Sequence, residues 1–242
     1  MDSKRPRVIP GPGELPNLQE DVREAFAVLK AGGIVICPND TGYALISCNA
    51  EGIERGFRAK QRKPGHTLAM LGSYETHRDI HILPPEKFEM TRLLTMDMSA
   101  FLGIVAPYKK DHPRIKALSP STLDRATKGG TLGIGVVEGK FMRELAKLCD
   151  EEGLLMVGSS ANLTGRGQKF RVEDIEPEVF NAADLIVDHG LQRYYMDQLP
   201  GTIIDFEAMH VLRQGAGYNL FRDRMEKFYG IELPATIQKL PN

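Results

Sequence analysis

Between Arg58 and Lys63 the chain carries four positive side chains, Arg58, Lys60, Arg62 and Lys63, and no negative one. Ammonium and guanidinium groups beside a hydroxyl-bearing turn suit a phosphate-bearing ligand, the guanidinium because it can meet two oxygens at once. Such a turn, Asn39-Asp40-Thr41-Gly42, lies in the same stretch, Gly33 to Leu71. A second polar loop, GSSANLTGRG, follows the apolar run Leu154 to Val157 and contains Ser160 and Asn162. Its glycines allow backbone to approach a ligand closely. Each cluster also has a plainer reading. Cations stabilise a helix C-terminus, and a Ser- and Asn-rich turn can spend its hydroxyls on its own backbone. Neither specifies a ligand alone.

Other chemistries find no motif. The chain has no GxxxxGK[ST], no GxGxxG opening a helix after a strand, and six histidines without HExxH spacing. Cys37, Cys48 and Cys149 lack metal-ligand spacing. A metal held by protein ligands alone is not expected.

The elements around these residues follow from periodicity. Asn17 with Glu20 reads as a capping box, and Val22, Ala25, Phe26 and Leu29 form a helical stripe ended by Gly32-Gly33. Ile34 to Cys37 and Tyr43 to Ser47 read as strands around the Pro38 turn. Asn49 caps a short helix that ends in the basic cluster, and Thr67 to Leu71 is another strand. Residues 84–97 predict one helix, Phe101 to Tyr108 a strand, and Lys109 to Gly130 a long loop or partly helical excursion. Leu132 to Val137 is a strand, followed by a helix with Phe141, Leu145 and Leu148 inward. After the GSSANLTGRG loop come a helix-like piece (172–183), strands at Leu185 to Val187, Gly201 to Phe206 and Val211 to Arg213, and a terminal helix, Tyr218 to Tyr229. Interleaved helices and short strands give α/β or α+β with one large sheet. The expected organisation is a leader (1–16) without a core of its own, one domain (17–217), and a C-terminal helix and tail (218–242) packed on it.

The bulk numbers bound the partners. With 242 residues, 42% apolar and 26% charged, the chain buries a core without disulfides. The formal charge is −1, unlike a dedicated nucleic-acid binder. No run approaches the ~20 apolar residues that span a bilayer, and the polar, proline-rich start has no apolar signal core. A soluble protein of the cytoplasm, with reduced thiols, is the expectation.

Taken together, the landmarks resemble the YrdC-like family of threonylcarbamoyl-adenylate synthases. The turn reads Asn39-Asp40-Thr41-Gly42-Tyr43-Ala44-Leu45, and the K-x-R is Lys60-Gln61-Arg62. The S-A-N-x-[ST]-G is Ser160-Ala161-Asn162-Leu163-Thr164-Gly165. Gly201-Thr202-Ile203-Ile204-Asp205 and Leu212-Arg213-Gln214-Gly215 complete the series in the family's order. The resemblance implies a twisted mixed sheet with a concave basic cavity. It also implies condensation of ATP, bicarbonate and L-threonine to threonylcarbamoyl-adenylate and pyrophosphate, for N6-threonylcarbamoyladenosine in tRNA. That reaction needs positioning and charge neutralisation but no protein nucleophile.

On this resemblance Lys60 and Arg62 are the catalytic pair. ATP is met by Lys60, Arg62, His66, Ser160, Asn162 and Arg213, and the acceptor by Thr41, Tyr43, Ser160 and Thr202. Magnesium would be held mostly by phosphates and water. Possible partners are tRNA or double-stranded RNA and tRNA-modification proteins, with no membrane. The chain departs from the family at Asn39 and Ala44 in the turn, at Gly135 in place of an arginine that helps hold the threonine carboxylate, and at Gly201 in place of a serine. Asp97 to Ala100 and residues 167–170 also differ from the family pattern. Two readings stay open: a synthase or altered-acceptor nucleotidyltransferase, and a non-catalytic paralogue binding nucleotide or double-stranded RNA in the same cavity.

Overall fold

Short β-branched runs broken by glycine, proline and polar turns form strands, and successive residues alternate between the two faces of their sheet. The computed structural model describes residues 7–9, 16–62 and 68–235. The strands are β1 (Arg7–Val8), β2 (Val35–Asn39), β3 (Gly42–Ser47), β4 (Ala69–Gly72), β5 (Leu102–Pro107) and β6 (Thr127–Lys128). They continue with β7 (Thr131–Val136), β8 (Met156–Ser160), β9 (Leu185–Val187), β10 (Thr202–Asp205) and β11 (His210–Arg213). All belong to one mixed sheet in the order β1-β9-β2-β3-β8-β4-β7-β5-β10-β11, with β6 paired to β7. The helices are α1 (Leu18–Lys30), α2 (Ala50–Ala59), α3 (Tyr74–Ile80), α4 (Pro85–Arg92), α5 (Pro113–Lys116), α6 (Pro120–Ala126), α7 (Lys140–Glu151), α8 (Pro177–Phe180) and α9 (Tyr218–Tyr229).

Alternation along each strand decides which face it serves. Val35, Cys37, Ala44 and Ile46 meet α1 and α7 through Val22, Leu29, Phe141 and Leu145. Ile36, Tyr43 and Leu45 point the other way, against Val172 and Val179. On that second face Leu132 and Ile134 pack with Ile80 and Ile115, and Leu102, Ile104 and Ile204 pack with Met90, Phe221 and Met225. The first face of β7, β5 and β10 carries Gly133, Gly135, Gly103, Val105 and Ile203, and these line a cavity.

Several expectations change. Arg7–Val8 pairs in parallel with β9, so the leader supplies an edge strand. Arg7 also pairs with Glu173 and Asp188. Asn17 precedes α1 but makes no side-chain cap; its amide donates to the Glu20 carboxylate at 2.6 Å instead. The single helix expected at 84–97 is α4 followed by a π-helical turn, Leu93–Asp97. Helix α3, unforeseen, is capped by Ser73, whose Oγ accepts from the Thr76 amide at 3.0 Å. The 109–130 excursion contains α5, α6 and β6. The helical piece at 172–183 is a 3-10 turn, Val172–Asp174, and the one-turn α8.

Candidate active site

The basic cluster reaches its position because α2 lies almost on the sheet. A Cβ on Gly56 would stand 2.7 Å from Leu45 Cδ2, and one on Gly52 2.1 Å from Ser47 Oγ, so only glycine permits this approach. The Asn49 side chain caps the helix by accepting from the Gly52 amide at 2.9 Å. At its other end Lys60 is 2% exposed. Its ammonium does not stabilise the end of its own helix. Nζ donates to the Ser160 carbonyl and, at 2.6 Å, to the Asn162 carbonyl. The Lys60 carbonyl in turn accepts from the Thr164 amide at 3.1 Å and its hydroxyl at 2.8 Å. Side chain and backbone together therefore clamp the two polar segments that the sequence sets about a hundred residues apart. Burial, followed by the charge of Arg62 and opposed by Glu176, lowers the Lys60 pKa to about 7. Arg62 is half-buried, with its guanidinium 5.3 Å from the Phe57 ring centroid, and lines the cavity. Burial lowers its pKa too, but arginine keeps its charge.

Ser160 ends β8 beside Ala44 of β3, which places its side chain on the cavity face. The following turn is held by the Ala161 amide donating to the Tyr43 carbonyl at 2.8 Å. Asn162 Nδ2 donates to the Leu163 carbonyl, whereas its buried Oδ1 has no hydrogen-bond partner among the described residues. A buried acceptor left this way costs roughly 1–3 kcal/mol, so a donor-bearing group at this turn would be favoured.

The cavity has a volume of about 760 Å³. Its floor is bare backbone at Gly103, Gly133, Gly135 and Gly158, and its cations are Arg62, Lys128 and Arg213. Arg213 is fixed by Nε donating to the Gly201 carbonyl at 2.8 Å. Asn39, Thr41, Ser159, Ser160 and Gln168 add polar groups. A second cleft, between α2 and α8, has Arg55 and Asp184 in its wall, paired with each other at 2.9 Å.

Of the residues expected at the site, Thr41, Arg62, Ser160 and Arg213 line this cavity. Lys60 and Asn162 are immediately behind its Ser160 edge through the contacts above. Tyr43 and Thr202 are elsewhere. Tyr43 is on the opposite face of β3, fully buried, where its hydroxyl lies 2.9 Å from an Asp188 carboxylate oxygen and 2.8 Å from the Gly190 carbonyl and accepts from the His189 amide. Thr202 Oγ1 accepts from the Gly215 amide at 3.0 Å and donates to the Ala216 carbonyl at 3.2 Å, tying β10 to the turn after β11. His66 lies outside the described residues. Phe101, Lys128 and Gln168 also line the cavity, with no sequence motif to mark them. Gln168 covers Gly42, whose φ of 126° and lack of Cβ both suit glycine. The alternating glycines of Thr131-Leu132-Gly133-Ile134-Gly135 were a usable sign of a strand face stripped of side chains. Among the described residues no group of three or more His, Cys, Asp or Glu could hold a metal ion. The donor set fits magnesium only when phosphates and water supply most of its oxygens. No helix among them is long and apolar enough to cross a membrane.

The fold and sequence recur in known proteins. The chain is 26% identical over 210 residues to the uncharacterised protein YciO of Escherichia coli, covering 82% of this chain and 91% of YciO. It is 29% identical over 176 residues to threonylcarbamoyl-AMP synthase of Bos taurus, covering 71% of this chain and 57% of the synthase. The crystal structure of P. abyssi Sua5 complexed with L-threonine shares the fold, with a TM-score of 0.69 and 20% identity, over 95% of this chain and 61% of that one. This chain thus spans nearly all of YciO but well under two thirds of the other two. A family profile described as Sua5_yciO_yrdC, telomere recombination, matches residues 27–215. The chain belongs to the Sua5/YciO/YrdC family.

Proposed function

We propose that the protein is a nucleotidyltransferase of the threonylcarbamoyl-AMP synthase type. It would condense ATP, bicarbonate and an amino-acid acceptor, L-threonine in the parent reaction, and supply the adenylate for N6-threonylcarbamoyladenosine in tRNA. The observation that carries this reading is the clamp of Lys60 onto the Ser160–Asn162 turn beside Arg62, at the edge of a nucleotide-sized cavity. The acceptor amine and bicarbonate give a carbamate and water. A carbamate oxygen then attacks the α-phosphorus, and the bond to the bridging oxygen of the β-phosphate breaks, with pyrophosphate leaving on that electron pair.

The chain's part is to hold and neutralise. Arg62 would meet two phosphate oxygens at once, Lys60 would add a charge that a phosphate calls up from a half-protonated amine, and Asn162 and Ser160 would orient the chain of phosphates. Arg213 would bind the nucleotide at the far side of the cavity, and Thr41 would face the acceptor. Tyr43 and Thr202 would act at one remove, by fixing the strands. Magnesium, arriving with the phosphates, would offset their charge.

The test is incubation with α-labelled ATP, bicarbonate and L-threonine, with adenylate and pyrophosphate measured. Arg62→Ala should abolish product while leaving the fold intact, and Lys60→Ala should do the same with a loss of stability. Turnover indifferent to both would refute the assignment. The second reading, a paralogue that binds nucleotide or RNA without turnover, is favoured by the glycines at 135 and 201, which leave no side chain to grip an acceptor carboxylate. Tight ATP binding with no adenylate from any amine would select it.

A further inference from the structure

We propose that Phe101 sets the acceptor specificity of this cavity, its ring filling the space beside Gly135 and Gly201 so that the subsite takes an amine with an uncharged, apolar substituent in place of a free amino acid's carboxylate. The inference rests on the nucleotidyltransferase reading above and names its second substrate. A Cβ on Gly135 would lie 2.8 Å from Phe101 Cζ and 3.0 Å from Cε2. One on Gly201 would lie 2.3 Å from Cε1 and 2.4 Å from Cδ1. Real Cβ atoms do not come so close to ring carbons. Neither glycine has a positive φ, so backbone conformation does not demand glycine at either position. The ring does. Three residues on β7, on β10's approach and on β5's approach therefore form a single device.

The ring is half-buried, packed on the α1–α7 core on one side and lining the cavity on the other. Leu71 Cδ2 would stand 2.9 Å from the same Gly135 Cβ, so ring and leucine share that wall. Ala44 and Pro200 also line the cavity. A carboxylate brought against this wall would lose water and find no hydrogen-bond donor on the ring. An apolar group would gain by burial. Of the cavity's cations Arg62, Lys128 and Arg213, the one tied to this wall is Arg213, with one donor already committed to the Gly201 carbonyl.

Calorimetric titration of the full chain, preloaded with a non-hydrolysable ATP analogue, distinguishes the two. The probes are L-threonine and 2-phenylethylamine, an amine with an apolar ring and no carboxylate. The wild type should bind 2-phenylethylamine at least ten-fold more tightly than L-threonine. Phe101→Leu, which keeps an apolar filler but removes the ring, should shrink that ratio several-fold. Gly135→Arg alone should not gain L-threonine, because the ring holds the space, whereas Phe101→Ala with Gly135→Arg should bind it at least ten-fold more tightly than wild type. Equal binding of both probes by the wild type would overturn the proposal. So would an unchanged ratio in Phe101→Leu together with loss of L-threonine binding in Arg213→Gln. The parent reading is tested separately by the analogue itself: if it does not bind, or binds equally in Arg62→Ala, that reading fails whatever the probes do.

Discussion

The pH dependence of nucleotide affinity gives the most exacting test of the Lys60 clamp. In the free protein the amine has a pKa of about 7, lowered first by burial and then by Arg62. A phosphate placed against Arg62 at the Ser160 edge favours the ammonium immediately behind it and moves its pKa back toward the ordinary ~10.4. Binding above pH 7 must therefore draw a proton from solution. At pH 8 about nine-tenths of the free protein has lost that proton, so uptake should approach 0.9 per nucleotide bound. From pH 8 to 9 the phosphates are already fully ionised, and affinity should fall about nine-fold, near 1.3 kcal/mol. Calorimetry in two buffers of different ionisation enthalpy measures uptake directly, and Lys60→Met should abolish both it and the slope. A flat affinity from pH 8 to 9, or the same slope in Lys60→Met, would refute the reasoning. The same group acts on folding. Its pKa is lowered in the folded state, so the unfolded chain binds the extra proton between pH 7 and the ordinary value. The cost to stability, about 5 kcal/mol at most, is present in full below pH 7 and vanishes as pH rises through that window.

Three further outcomes follow from other buried groups. Glu138 is 5% exposed, with neither carboxylate oxygen hydrogen-bonded among the described residues and Arg143 3.7 Å from Oε2, and burial, opposed by Arg143 and aided by Asp40 and Glu75, raises its pKa to about 7. The folded state therefore holds the extra proton between the ordinary carboxylate value and 7, and stability falls by up to about 3 kcal/mol as pH rises through that range. Glu138→Gln should raise the Tm at pH 8 and leave it nearly unchanged at pH 4. His77 and His81 are buried with Nδ1 atoms 2.6 Å apart, and burial lowers them to about 2 and about 4 respectively, His77 also through His81. Because the unfolded histidines titrate near 6.5, stability should drop by about 2.5 kcal/mol for each unit that pH falls around pH 5, and His77→Gln should halve that slope in urea titrations. Tyr43→Phe should cost about 1–3 kcal/mol by stranding the Asp188, Gly190 and His189 groups, yet leave ATP affinity unchanged, since the ring lies on the other face of the sheet.

Strands were legible wherever a β-branched run was bounded by glycine or proline, and β2, β3, β5, β7, β9 and β10 all appear within a few residues of their expected bounds. What escaped depended on competition the local pattern does not report. The Asn17 side chain could reach either its own helix or the Glu20 carboxylate, and the carboxylate won. Helix α3 has seven residues, too few to show a stripe, and is held by its Ser73 cap and by the buried contacts of His77 and Ile80. The edge strand at Arg7–Val8 has only two residues, and what fixes it is distant: Asp188 and β9.

For the site, motif order found the right elements but not the right faces. Ala44 and Ser160 turn toward the cavity, while Tyr43, next to Ala44 on β3, and Thr202, next to the cavity-lining Gly201, turn away. A motif marks a segment, whereas alternation along the strand decides which side chains can touch a ligand. The same logic changes how Gly135 and Gly201 should be read. In sequence they are two separate absences, each removing a polar side chain, and Phe101 is an ordinary strand-edge aromatic. In space the ring closes on both positions at once, so restoring either side chain alone must meet the ring. Function lost by drift would leave two holes that single substitutions could fill. One ring fitted between two glycines is what the proposed change of acceptor requires, and on that proposal only the paired change at Phe101 and Gly135 should reverse it.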